Sequence, residues 1–116
     1  MTKKKHIWLS RQLSEAEIHD TSVDVIVTLP DRTRWMATFF TFQNIKTLRQ
    51  KYKETGVNLS GTYLWAVNMI ICEDLSRETI EKVVDDIIAD ERLASAMMRI
   101  SDVTNEAGYE EGFFEV

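Results

Sequence analysis

The chain has 116 residues, close to the usual size of one domain, so it has room for one hydrophobic core. Hydrophobic residues make up 44% and charged residues 28%, with four Gly and one Pro, which excludes collagen-like, low-complexity and disordered classes. No apolar run approaches the roughly 18 residues of a membrane span. The basic start is followed by only three apolar residues, too few for a secretory signal. The sequence therefore predicts a cytoplasmic protein with a single domain over residues 1–116.

Charge is divided unevenly along the chain. Residues 1–58 hold ten Lys/Arg and six Asp/Glu, a net charge of +4, whereas residues 59–116 hold four and thirteen, a net charge of −9. An acidic half attracts a basic partner and repels phosphate, so nucleic-acid binding by this half is disfavoured. The alternative interpretation is a solvated surface that only keeps the protein soluble.

A β-hairpin is the first element that the sequence predicts clearly. Apolar side chains occupy alternate positions from Val23 to Leu29, the period of a half-buried strand. Residues 30–32 contain Pro and Asp, which favour a turn. The run from Arg34 to Phe42 is rich in aromatics and predicts the returning strand. Residues 6–9 form a further short strand or an arm that packs its Trp.

A helix follows the hairpin. Thr41 or the pair Gln43–Asn44 is its predicted N-cap, and Gly56 its stop. Ile45, Leu48 and Tyr52 share one face of this helix. The residues from Thr62 to Cys72 then predict a strand with apolar side chains on both faces, which is typical of a central strand or one covered by a partner.

The second helix gives the strongest periodic signal, and Ser76 is its predicted N-cap. Its apolar stripe has the i, i+3, i+4, i+7, i+8 spacing and consists of Ile80, Val83, Val84, Ile87 and Ile88. A kink or a new helix is expected near Asp90, because the next apolar residues are out of phase with this stripe. Residues 104–116 form an acidic, aromatic tail that is either flexible or folded back onto the sheet.

The predicted order of elements is β-β-α-β-α-α, with a possible extra strand at the start. This order predicts an α+β fold with a small antiparallel or mixed sheet of three or four strands and two or three helices packed on it. The crossover through the first helix is compatible with a parallel or an antiparallel return.

Catalytic and metal-binding patterns are missing from the sequence. His6 and His19 lie in no motif, and Cys72 ends an apolar strand, where a thiol is usually inert. Adjacent carboxylates such as Asp85 and Asp86 point apart rather than converge. The sequence has no Gly-rich phosphate loop. We therefore expect no enzyme activity, no cofactor and no metal site.

The aromatic residues of the predicted strands are most simply part of the core. Two alternatives remain open at this point. In one, the chain is a small enzyme or ligand-binding domain with a cleft near Trp35, Tyr63 and Trp65. In the other, it is a structural homodimer with the two-sided strand at residues 62–72 as its seam.

Two hydrophobic runs, Trp35–Phe42 and Gly61–Ile71, carry a resemblance to a known group of proteins. Over roughly residues 23–90 the chain resembles small bacterial immunity proteins of polymorphic and contact-dependent growth inhibition toxin systems. The resemblance implies a cytoplasmic protein that binds and neutralises a cognate toxin domain, often a nuclease. It assigns no binding residues by position.

The acidic half suggests which surface such a protein would use. A nuclease is usually basic around its active site, so an acidic inhibitor can cover that site. The residues predicted to form this docking surface are Glu73, Asp74, Glu78, Glu81, Asp85 and Asp86. The aromatic residues of the tail are a second candidate, namely Tyr109, Phe113 and Phe114. Reversing the charges of Asp85 and Asp86 together is expected to weaken toxin binding.

Overall fold

The computed structural model describes residues 5–100 and the backbone of a last strand, and it has an α+β fold. The strands are β1 (His6–Leu9), β2 (Ser22–Thr28), β3 (Arg34–Thr41), β4 (Met69–Cys72), β5 (Met98–Ile100) and β6 (Phe113–Glu115). The helices are α1 (Phe42–Thr55), α2 (Val57–Gly61), α3 (Arg77–Ala89) and α4 (Leu93–Ala96). The predicted fold class is confirmed.

All six strands belong to one mixed sheet with the order β4-β3-β2-β1-β6, and β5 also pairs with β3. The predicted hairpin of β2 and β3 is confirmed, with Val25 opposite Ala37. Only β3 and β4 are parallel to each other, so the crossover through α1 returns in the parallel direction. The prediction of three or four strands was too low. It missed β5 and β6, because three-residue strands are too short to show an alternating pattern.

The core lies between one face of this sheet and α3. Val23, Val25 and Val27 of β2 point to that face and are almost fully buried. From the other side, Ile80 and Val84 of α3 are fully buried in the same cluster. The apolar stripe predicted for this helix is thereby confirmed, and its burial is the main source of stability.

The helix ends follow local sequence signals. The Thr41 hydroxyl caps α1 by accepting a hydrogen bond from the amide of Asn44 at 3.0 Å, and Gly56 ends the helix with a φ of +83°. Ser76 caps α3 by accepting from the amide of Thr79 at 3.2 Å. The expected break near Asp90 is confirmed, because α3 ends at Ala89 and α4 begins at Leu93. Within residues 5–100, no helix is long and apolar enough to cross a membrane.

The strand predicted over residues 62–72 was mostly wrong. Of these residues, only Met69–Cys72 form a strand. This strand pairs with β3, from Met69 opposite Thr38 to Cys72 opposite Thr41. The extended chain is interrupted just before this strand because Asn68 takes a positive φ of 50°. Residues 62–68 have no strand partner in the described sheet. Of the run proposed as a homodimer seam, only Met69–Cys72 forms a strand, and the homodimer itself stays a prediction.

Candidate protein-interaction surface

Residues 42–68, here called the lobe, are built differently from the core. The lobe consists of α1, α2 and the connection to β4. No residue of α1 is buried, and the helix packs mainly against α2 and against β3, from which it emerges. Ile45, Leu48 and Tyr52, the predicted apolar face, are only half-buried. The lobe is therefore not part of the hydrophobic core.

Polar contacts fix the base of the lobe to the rest of the fold. Asp20 accepts hydrogen bonds from the side-chain amide of Asn44 at 3.0 Å and from the hydroxyl of Thr47 at 2.8 Å. The fully buried Thr41 hydroxyl also accepts from the amide of Thr21 at 3.3 Å. Such bonds contribute about 1 kcal/mol each, so they hold the first turns of α1 in one orientation.

The lobe carries most of the exposed large hydrophobic side chains in the described part of the chain. Six of the eight lie in it, and the other two are Ile71 and Met98. The six are Phe42 (60% exposed), Val57, Leu59 (72%), Tyr63, Trp65 (68%) and Val67. Exposed apolar side chains concentrated in one region are typical of a protein-interaction site.

The aromatic residues that were expected in the core divide into two groups. Phe39 and Phe40 are buried and Trp35 is half-buried, as expected. Phe42 and the two aromatics Tyr63 and Trp65 are exposed, so for them the prediction was wrong. All three lie beyond the ends of β3 and β4, where the sheet no longer gives them a surface to pack against.

The tip of the lobe is a turn with unusual backbone geometry. Asn58, Leu59 and Ser60 all have left-handed φ values between 52° and 55°. Each such residue costs about 1–2 kcal/mol when it is not glycine. Gly56 and Gly61 flank the turn, also with positive φ. Three consecutive strained residues persist only where the surrounding structure fixes them, and strain of this kind is concentrated at functional sites.

Close contacts hold this turn against α1. A Cβ atom on Gly61 would lie 2.7 Å from the carbonyl oxygen of Arg49, so only glycine fits there. The Nε of Arg49 donates to the carbonyl of Gly61 at 3.4 Å. The Thr62 amide donates to the carbonyls of Asn58 and Leu59 at 3.1 and 3.2 Å. The sequence signal for this turn was the glycine pair five residues apart, which the strand prediction overlooked.

The lobe is basic, in contrast to the chain as a whole. It has four cations and one carboxylate, a net charge of +3. The cations are all exposed and are Lys46, Arg49, Lys51 and Lys53. None of them forms an ion pair with a residue of the described structure. The positive charge is therefore available to a partner.

The predicted acidic surface centres on α3. Helical spacing places Glu78, Glu81 and Asp85 in one row, at i, i+3 and i+7. Asp86 is exposed on the far side of Lys82, which pairs with Glu78 at 2.9 Å. From residue 73 to residue 91 there are eight carboxylates and two cations, a net charge of −6. The structure thus brings three of the predicted carboxylates together and leaves Asp86 beside them.

Besides Glu78, two of the predicted docking carboxylates have partners within the fold. Asp85 forms an ion pair with Lys5, whose side chain is only 5% exposed. Asp74 accepts a hydrogen bond from the amide of Ser76 at 2.9 Å. Hydrogen bonds from the Thr79 hydroxyl and from Ser76 keep the pKa of Asp74 below its ordinary value of 3.8. Asp74 and Asp85 thus stabilise the fold, whereas Glu73 and Asp86 are exposed and form no described ion pair.

The aromatic tail is only partly described. Tyr109 lies outside the described residues. The backbones of Phe113 and Phe114 belong to β6, which pairs with β1 so that Phe114 is opposite Ile7. Their side chains also lie outside the description. Their predicted role in docking stays a prediction.

The cleft suggested near Trp35, Tyr63 and Trp65 stays a prediction, and a groove of the described chain lies elsewhere. A shallow groove of about 550 Å³ runs between the β2–β3 turn and α3. Its lining includes Lys5, Pro30 and Asp85 and none of the three aromatics. Trp35 instead contacts neighbouring residues. Its ring nitrogen donates to the Thr33 hydroxyl at 3.1 Å, and the guanidinium of Arg99 lies over its ring.

Cys72 was the sequence's one thiol, and the structure makes it unreactive. The side chain is buried, with 4% exposure. Burial, and to a lesser degree the charge of Asp74, raises the pKa of Cys72 to about 11. The thiolate is the nucleophilic form, so almost none is present at neutral pH. In the described part of the chain, no three His, Cys, Asp or Glu residues come together in a metal-binding group.

No protein-family model, curated protein or solved structure matches this chain. The resemblance to immunity proteins therefore rests on the hydrophobic runs alone. The remaining indications of function are the exposed apolar side chains of the lobe and the carboxylates of α3.

Proposed function

We propose that the chain is a protein-binding module of the immunity type, which binds and neutralises a cognate bacterial toxin domain. The observation that carries the proposal is the lobe, which projects six large hydrophobic side chains into solvent. Exposed Trp and Tyr are favoured anchors in protein interfaces. A solvated surface without a partner would not concentrate them in one segment.

The acidic residues of α3 have a second role in this proposal. Electrostatic complementarity speeds association and adds specificity more than it adds affinity. A toxin domain that is basic, as a nuclease is, would be attracted by the net charge of −6 over residues 73–91. The lobe supplies the apolar contacts and the carboxylates steer the approach.

The proposal is tested with the C-terminal domain of a large secreted protein encoded beside the gene for this chain. The two are produced together in a bacterial host, where the proposal expects growth to be rescued and a complex to be purified. An empty vector and an unrelated toxin domain are the controls. Growth arrest in the presence of the well-folded chain, with no complex, contradicts the proposal.

The charge-reversal test needs a different pair of residues from the predicted one. Reversing Asp85 would place two cations beside each other at the buried Lys5, so any loss of binding would reflect misfolding. Glu81→Lys with Asp86→Lys avoids this contact. The double variant is expected to slow association about tenfold at low salt, and Glu15→Lys, an exposed residue outside α3, is the matched control.

A further inference from the structure

We infer that Leu59 at the left-handed tip of the lobe is an anchor of the interface, and that it enters an apolar pocket of the partner protein whose rim carries carboxylates. This inference rests on the proposed function in so far as the partner is the toxin domain. It goes further in naming the anchor and the chemistry of the surface that receives it.

The side chain of Leu59 is exposed to solvent at the tip of the lobe. Leu59 is 72% exposed, more than any other large hydrophobic residue of the described chain. It lies in the middle of three left-handed residues, where a hydrophobic side chain makes no contribution to the core. A fold gains nothing by itself from a strained turn that carries an exposed leucine, so the gain is expected in a complex.

Close packing and hydrogen bonds hold the backbone of the turn in one conformation. Gly61 is packed against the Arg49 carbonyl, the Thr62 hydroxyl donates to the Leu59 carbonyl at 2.6 Å, and the Ser60 amide donates to the Gly56 carbonyl at 3.3 Å. A backbone segment that is already held in one conformation loses little conformational entropy when it binds. This preorganisation is typical of an anchor and differs from a loop that merely lies in solvent.

The charge of the tip identifies the occupant. Lys53 lies beside Gly61, with its Cγ 3.3 Å from the position of a Cβ there, and Arg49 binds the Gly61 carbonyl. Two exposed cations therefore flank the base of the turn. Their complement is a pocket with carboxylates at its rim, opposite in sign to the basic surface that α3 would attract.

A protein fits this tip better than a nucleic acid does. Single-stranded nucleic acids use aromatic stacking on a positively charged groove. Here the tip is aliphatic, with Leu59 and Val57 exposed, and the chain as a whole has a net charge of −5. A second copy of the chain is the remaining occupant, because its residues 73–91 are acidic, and the experiment separates this outcome.

The first experiment identifies the contact in the living cell. A photo-crosslinking amino acid replaces Leu59 in one version of the full chain and Met98 in a control version. Met98 is also an exposed apolar residue, 40% exposed, but lies on β5 outside the lobe. The inference expects one identified protein to crosslink at position 59 and not at position 98. Equal crosslinking at both positions, crosslinking at neither, or crosslinking to a second copy of the chain overturns it.

The second experiment measures the affinity of the purified chain for the protein identified in this way. Leu59→Asp is expected to weaken binding at least ~30-fold, as expected for an anchor residue, and Met98→Asp less than about twofold. Lys53→Glu is expected to weaken binding about fivefold. Lys46→Glu, about 10 Å before Lys53 along α1, is expected to change it much less. Thermal unfolding of each variant shows that the fold is retained.

The sign of the Lys53 effect decides the inference. A partner that is basic at this point would bind Lys53→Glu more tightly, and that result overturns the carboxylate rim. Undiminished binding by Leu59→Asp overturns the anchor, while rescue from the toxin by the same variant leaves the proposed function intact. If the crosslinked protein is not a toxin domain, the result contradicts the proposed function but still supports Leu59 as an anchor residue.

Discussion

The helices α1 and α3 have similar lengths, 14 and 13 residues, and both have apolar side chains at helical spacing, but only α3 is packed into the core. The stripe of α3 has five aliphatic residues and buries Ile80, Val84 and Ile87. The face of α1 has three apolar residues, none of them buried. The comparison teaches that helical periodicity predicts a helix, whereas the width of the apolar face indicates whether the helix joins the core.

The two regions also differ in what holds them in place. The core is held by burial of apolar surface, which is the dominant stabilising contribution in folding. The lobe is held by hydrogen bonds at its base and by the packing of α2 against α1. A region with little buried apolar surface opens locally at a lower free energy than the core does. The lobe is thus suited to binding, and its removal from water is expected to occur in a complex.

The largest expected effect contrasts two isoleucines, one in each helix. Ile80→Ala removes a fully buried side chain and is expected to lower the free energy of unfolding by roughly 3–5 kcal/mol. Ile45→Ala, at a half-buried position of α1, is expected to cost about 1 kcal/mol. Urea unfolding followed by circular dichroism measures both. Equal losses would mean that α1 is packed as tightly as α3.

The second prediction separates structural from docking carboxylates on α3. Asp85→Ala leaves the buried Lys5 ammonium without its partner and is expected to cost about 3 kcal/mol. Asp86→Ala, at the next position but exposed, is expected to change stability by less than ~0.5 kcal/mol. Both are measured by urea unfolding at neutral pH. If Asp85→Ala is as stable as Asp86→Ala, the Lys5 ion pair does not contribute to the fold.

The third prediction uses the pKa of Cys72, the last residue of β4, which leads from the lobe into the core. The unfolded thiol loses its proton near pH 9.0 and the folded thiol near pH 11. Because the folded pKa is the higher one, stability is complete below pH 9 and declines as the pH rises toward 11, by up to about 2.5 kcal/mol.

The matched reference for this decline is Cys72→Ala, which has no thiol to ionise. Subtracting its stability at each pH removes the contributions of lysines and tyrosines that titrate in the same range. The difference between the two proteins is expected to shrink between pH 9 and pH 11. Parallel stability curves would show that the thiol is as accessible in the folded protein as in the unfolded one.

The smallest effect concerns the two glycines of the lobe. Gly56→Ala meets no atom within 4 Å and is expected to cost about 1 kcal/mol, for its positive φ alone. Gly61→Ala has the same backbone cost and also brings its Cβ against the Arg49 carbonyl, so about 2 kcal/mol is expected. Hydrogen exchange of the α1 amides localises the loss. Equal effects of the two substitutions would show that the turn relaxes away from α1 without cost.

Local signals in the sequence were sufficient for a large part of the fold. The caps Thr41 and Ser76, the stop at Gly56 and the hairpin of β2 and β3 depend on residues close together in the chain, and all are confirmed. The candidate site was harder to predict. The six predicted docking carboxylates, which lie in α3 and just before it, were predicted from charge alone. The sequence could not show that one of them, Asp85, is paired with the distant Lys5.

Sequence patterns alone were enough to predict the α+β class, the core face of α3 and the division of the chain into a basic and an acidic half. These depend on composition and on periods of two and 3.6 residues, which are local properties. Tertiary structure alone decided that Tyr63, Trp65 and Leu59 are exposed. A hydrophobic run gives the same pattern whether its partner is the sheet of its own chain or the surface of another protein, and only the positions of β3 and β4 show where the sheet ends.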